Sequence, residues 1–155
     1  MTRAEKISFK QALKQAGLAI IEQRITAARS LMDDAQQAAN GEEKSSAGDK
    51  YETSRAMGHL QKDMHARQLA EQAKELAALH VVNVDQLYDT VTSGAVIECE
   101  KATFFVAAGL GKVTIGDKAV FFLSPQAPLA QQIQHKKAGD HFVFNTLRTI
   151  IADLY

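Results

Sequence analysis

Residues Leu18, Ile21, Ile25, Ala28, Met32, Ala35 and Ala39 recur at alternating intervals of three and four. That heptad spacing keeps one apolar seam of a helix turned toward a partner helix, so it commits the first forty residues to a long helix and requires a second one to cover it. The pattern stops at Asn40-Gly41, a pair suited to the positive φ of a helix C-terminus. Beyond it, Ser45, Ser46 and Asp49 suit an N-cap, and Asp49 with Glu52 has capping-box spacing. The expected elements are helices over about 8–39 and 50–79, paired as an antiparallel hairpin whose tip is the loop 40–48. The first helix would be roughly 45–50 Å long. On the second helix the apolar stripe reads Met57, Leu60, Met64, Leu69, Ala73, Leu76, and the step of five after Met64 predicts a phase shift of the seam. A long thin hairpin buries little apolar area for its length, which makes its tip the first place to look for function.

Past His80 the residue grammar changes. Residues 1–80 contain no proline and favour Ala, Gln, Glu, Lys and Leu, whereas 81–155 hold both prolines and alternate with a period of two. Strands are expected over 96–100, 102–108, 112–115, 118–123, 141–144 and 146–154. Turns are expected at Gly109-Leu110-Gly111, Gly116-Asp117 and Gly139-Asp140, with a short helix over 128–135. The reading is an α+β chain: a helical hairpin (coiled coil) over 1–80, then a small antiparallel sheet domain with one short helix over 81–155.

Composition narrows the function. Eighteen basic residues balance eighteen acidic ones, so no bulk positive field draws the chain to nucleic acid. A single cysteine, Cys99, excludes an intrachain disulfide and fits a reducing cytoplasm. The first residues carry Arg3, Glu5, Lys6 and Lys10 and do not read as a signal peptide, and no apolar run is long enough to cross a membrane. The five histidines (His59, His65, His80, His135, His141) include no i, i+4 pair of the kind that holds zinc on a helix. Gly109-Leu110-Gly111-Lys112 lacks the spacing of a phosphate loop and reads as a turn. Cys99 lies between Glu98 and Glu100, with no histidine near it in sequence, and reads as an inert core thiol. The chain is therefore expected not to be an enzyme and to take no small-molecule substrate.

Two segments resemble a known family. Phe122-Leu123-Ser124-Pro125-Gln126-Ala127-Pro128-Leu129, followed by Lys136-Lys137-Ala138-Gly139-Asp140, is similar to the serine–proline signature and the later lysine and glycine–aspartate of the Gre family of bacterial transcription elongation factors. Tyr51 to Arg55 resembles that family's tyrosine and arginine just past the hairpin tip. The resemblance implies an FKBP-like C-terminal domain that docks at the rim of the RNA polymerase secondary channel. It also implies a hairpin that reaches the active site, in indirect contact with the nascent RNA and DNA. Tip acids in that family help hold a second catalytic magnesium, and the polymerase cleaves its own backtracked transcript. On this basis Ser124, Pro125, Pro128, Leu129, Lys136, Gly139 and Asp140 are docking candidates, and Glu42, Glu43, Asp49, Tyr51 and Arg55 are tip candidates. No cofactor is expected to be tightly bound, with Mg²⁺ at most shared with the polymerase.

The chain departs from the family pattern where it matters most. Aligning on Tyr51 and Arg55 puts Lys44 and Ala47 at the positions of the family's two acids, and neither can ligate magnesium. Glu42 and Glu43 are the replacement metal candidates. Without working acids, a Gre-like protein would occupy the channel and inhibit the polymerase. A further alternative is a hairpin that binds a different partner or pairs with itself.

Overall fold

Helix α1 (Arg3–Glu42) opens on a capping box. The Thr2 backbone N–H donates to Glu5 Oε2 at 2.6 Å, and the Glu5 N–H donates to Thr2 Oγ1 at 3.1 Å. The helix thus starts five residues earlier than the heptad suggested. It also runs through Asn40-Gly41, so that pair does not end it. Helix α2 (Gly48–His80) already contains Asp49, which is therefore not its N-cap. These elements come from a computed structural model that describes residues 1–42 and 48–155, with the backbone alone at 39, 41, 42, 48–51 and 54.

After α2 come β1 (Val96–Cys99), β2 (Thr103–Val106), β3 (Gly111–Ile115), β4 (Lys118–Leu123), α3 (Pro128–Ile133), β5 (His141–Phe144) and β6 (Leu147–Leu154). The strands form one six-stranded sheet in the order β3-β4-β2-β1-β6-β5. It is mostly antiparallel, but β4 pairs parallel to β2, with Phe104 opposite Phe121. An all-antiparallel sheet is therefore corrected at one place. The tight turn at Gly116 (φ 61°) folds β4 back along β3, and β4 takes the position beside β2, so β3 opposes β4 and β4 runs with β2.

Packing divides the chain within its helices. One compact unit is made of residues 1–19 and 75–155, the other of 20–74. The change of grammar near 80 marks the end of α2 at His80, whereas packing puts the first turns of α1 and the last of α2 with the sheet.

In the sheet unit, β2 is buried along its whole length, as a strand covered on both faces must be. On one face Val91, Ile97, Phe104, Val106, Ile133, Phe142, Ile151 and Leu154 form a core. Phe104 meets Phe142 and Phe144 edge-on at 6.0 and 5.1 Å between ring centroids. On the other face Phe105 stacks on Phe122 at 5.3 Å. There Gly17 of α1 lies so close to Leu79 and Phe122 that a Cβ would fall 2.8 and 2.9 Å from their side chains. Lys14 Nζ donates to the carbonyls of His80 and Val82 at 3.0 and 2.9 Å, holding the α2 C-terminus to α1.

In the hairpin unit the two helices run antiparallel, and Lys62 Nζ donates to Gln36 Oε1 at 2.6 Å. Among the described residues of the α1 seam, Ile21, Ala28 and Ala35 are buried and Leu18, Ile25 and Met32 half-buried, as the heptad requires.

Candidate functional site

Of the tip candidates, Glu43 lies outside the described residues, as do Lys44 and Ala47. Glu42 is the last residue of α1, while Asp49 and Tyr51 stand in the first turns of α2. Arg55 is exposed one turn beyond Tyr51.

The docking candidates bracket α3. The N–H of Gln126 donates to Ser124 Oγ at 3.3 Å and the N–H of Ala127 to the Ser124 carbonyl at 2.9 Å, forming a serine-stabilised turn. Pro128 occupies the first helical turn, where its missing N–H costs nothing. Leu129 packs against the core. At the other end of α3, the Lys136 carbonyl accepts the Val91 N–H at 2.9 Å. The Lys137 N–H donates to Asp140 Oδ2 at 2.8 Å, closing a turn around Gly139 (φ 93°). The fold thus places all seven residues at or beside α3, with Pro128, Gly139 and Asp140 exposed. Ser124, Pro128, Leu129, Lys136, Gly139 and Asp140 each also have a local structural task.

The α2 seam differs from the sequence expectation. Gly58, Lys62, His65, Leu69, Gln72 and Leu76 are half-buried and Leu79 buried, in unbroken steps of four and three. There is no phase shift after Met64. Met57, Leu60 and Met64 lie outside the seam at 55%, 65% and 53% exposure. The reason is the α1 partner: its heptad runs unbroken, so α2 must keep the same phase even where that turns polar residues inward. Gln72 Oε1 is left buried without a hydrogen-bond partner. A groove of about 490 Å³ opens on one flank of this unit, lined by Arg24, Ala27, Leu31, Met64, Arg67 and Glu71 among others.

The sheet unit has its own groove of about 470 Å³ between the β5–β6 turn and residues 100–102, with Phe121, Phe144, Leu147 and Ile150 on its walls. The β5–β6 turn places Asn145 and Thr146 at φ 49° and 65°. For a β-branched residue such as Thr146 that is a strained conformation.

One residue escaped sequence reasoning. Lys10 is fully buried, its Nζ 2.6 Å from the Gln86 carbonyl and 4.6 Å from the centre of the Tyr88 ring. Burial pulls its pKa down to about 8. The signal was available: Lys10 extends the stripe Leu13, Gly17, Ile21 backward by one step. At the far end of the chain, burial and then the bond from Tyr155 Oη to Glu98 raise the Tyr155 pKa. Glu98 also pairs with Lys118 at 2.6 Å. Burial raises the Cys99 thiol to about 11, which keeps its nucleophilic thiolate scarce. Among the described residues no group of three or more His, Cys, Asp or Glu is placed to hold a metal ion. Also among the described residues, no helix is long and apolar enough to cross a membrane.

No protein-family model matches the chain, and no curated protein does. A solved structure described as that of the transcription factor Gfh1 is similar over 90% of this chain and 94% of that one, with 14% identity and a TM-score of 0.39. A likeness of that degree assigns no function.

Proposed function

We propose that the chain is an RNA polymerase-binding elongation factor of the Gre type, acting on elongating or backtracked complexes. Residues 1–80 enter the secondary channel and 81–155 dock at its rim. One combination carries the reading: a two-helix antiparallel unit and, in the same chain, the Ser124-Pro125 turn, Lys136 and Gly139-Asp140 set around one short helix. The chemistry belongs to the polymerase, and this chain contributes position, in the cytoplasm where the enzyme works. As a donor set, the Glu42 and Glu43 carboxylates suit magnesium, and Lys44 and Ala47 do not. Bound there, the ion would stabilise an attacking oxygen. Lys44 and Ala47 favour a second reading, in which the protein fills the channel and slows the enzyme without reviving it.

The test is transcript length on a stalled, backtracked complex of the cognate polymerase, with and without the protein. Shortened transcripts, lost on Glu42→Ala with Glu43→Ala while binding persists, support the first reading. Slowed elongation without shortening supports the second. A protein that neither binds the polymerase nor alters transcription overturns both.

A further inference from the structure

The hairpin unit carries a second heptad stripe beside its seam on each helix. On α1 it is Ile20, Arg24, Ala27, Leu31, Asp34 and Ala38, and on α2 it is Met57, Gln61, Met64, Gln68 and Glu71. All are exposed except half-buried Ile20. The groove lined from both helices by Arg24, Ala27, Leu31, Met64, Gln68 and Glu71 makes these stripes one flank. The opposite flank, with Glu22, Thr26, Arg29 and Asp33 facing His59, Asp63, Ala66, Ala70 and Ala73, holds no apolar side chain larger than alanine. Of the two flanks, only this one carries apolar side chains larger than alanine, and its groove is lined also by Gln72 with its orphaned acceptor.

We propose that this flank pairs with the same flank of a second copy of the chain, about a two-fold axis, as an antiparallel four-helix bundle. Three observations select a second copy as the occupant. Between residues 20 and 38 the flank runs roughly 27 Å along helices each about 10 Å wide. A corrugated face of that size approaches the ~800 Å² per partner of a standard interface. Ala27 and Leu31 lie near its middle, so a two-fold axis there sets Leu31 of each copy against Ala27 of the other. On α1 the charges are sorted by end, with Arg24 toward one end and Asp34 toward the other. An antiparallel partner sets Arg24 against Asp34 of the second copy, and the chain's net charge of zero opposes no such approach. The inference does not rest on the polymerase reading.

Sedimentation velocity of the full chain from about 1 to about 300 µM is expected to show reversible dimerisation. Leu31→Glu and Met64→Glu should each raise the dimer dissociation constant by at least about tenfold, and Ala66→Glu on the opposite flank should leave it unchanged. Circular dichroism matching the parent shows that each variant is folded. Arg24→Asp should weaken the dimer, and adding Asp34→Arg should restore it. A chain that stays monomeric at the highest concentration, or a dimer indifferent to both glutamates, overturns the proposal. A monomer that still binds polymerase overturns the dimer alone. A dimer that does not bind polymerase overturns only the reading of the preceding section.

Discussion

The two units handle their apolar residues in opposite ways. The sheet unit buries Phe104, Phe105, Phe122, Ile97 and Tyr155 almost completely. The hairpin unit keeps Lys62, His65 and Gln72 half-buried between its helices and leaves Leu31, Met57, Leu60 and Met64 outside. A two-layer unit has an interior large enough to hide aromatic rings, whereas two helices share only one narrow seam. Where stability comes from a core, substitutions should be costly. Where a surface has been kept for contact, they should be nearly silent for folding and visible only in binding.

The contrast breaks first, if it breaks at all, at the centre of the sheet. Phe104→Ala should destabilise the chain by about 3–5 kcal/mol in urea unfolding, because it removes a ring packed among several others. Gly17→Val should cost about 1–3 kcal/mol by forcing Leu79 and Phe122 aside. A smaller effect of either would mean that the packing on that face can give way.

Lys10 sharpens the comparison through pH. Its folded pKa, about 8, lies below its usual 10.5, so between those values the unfolded chain binds more protons than the folded one. Stability should therefore rise with pH through that window, by at most about 1.4 kcal/mol per pH unit for one proton. Tyr155, with its pKa raised, opposes the rise above its ordinary value of 10. Lys10→Met should flatten the rise between about pH 8 and 10, and a parent whose melting temperature is level there would refute the assignment.

In the hairpin, Gln72→Leu should stabilise by about 1 kcal/mol, since it removes a buried acceptor with no donor. Leu60→Lys should change stability by no more than about 0.5 kcal/mol. A large loss on that last substitution would show that the exposed stripe holds the monomer together, and the two units would then not differ as described.

Much of this was legible before any coordinates. The α1 heptad set out a long helix and its buried positions, because a period of three and four has only one physical use. The Gly116-Asp117 and Gly139-Asp140 turns and the centres of all six strands could be read from alternation and turn residues. The Thr2 and Glu5 capping box was equally readable and would have placed the α1 start. The segment of docking candidates was visible as a motif. Its residues turned out to flank α3, and Ser124 and Asp140 stabilise its bordering turns.

What the residues alone determined is each helix's and strand's existence, because local periodicity and capping act within a few residues. The α2 seam was beyond their reach. Met57, Leu60 and Met64 form an apolar stripe as good as any on that helix, yet α1 presents a continuous seam, and α2 packs in the phase that meets it. The parallel pairing of β4 with β2 and the Gln86 carbonyl as the partner of Lys10 have the same origin. Each depends on a partner far away in sequence, and only tertiary packing brings that partner into contact.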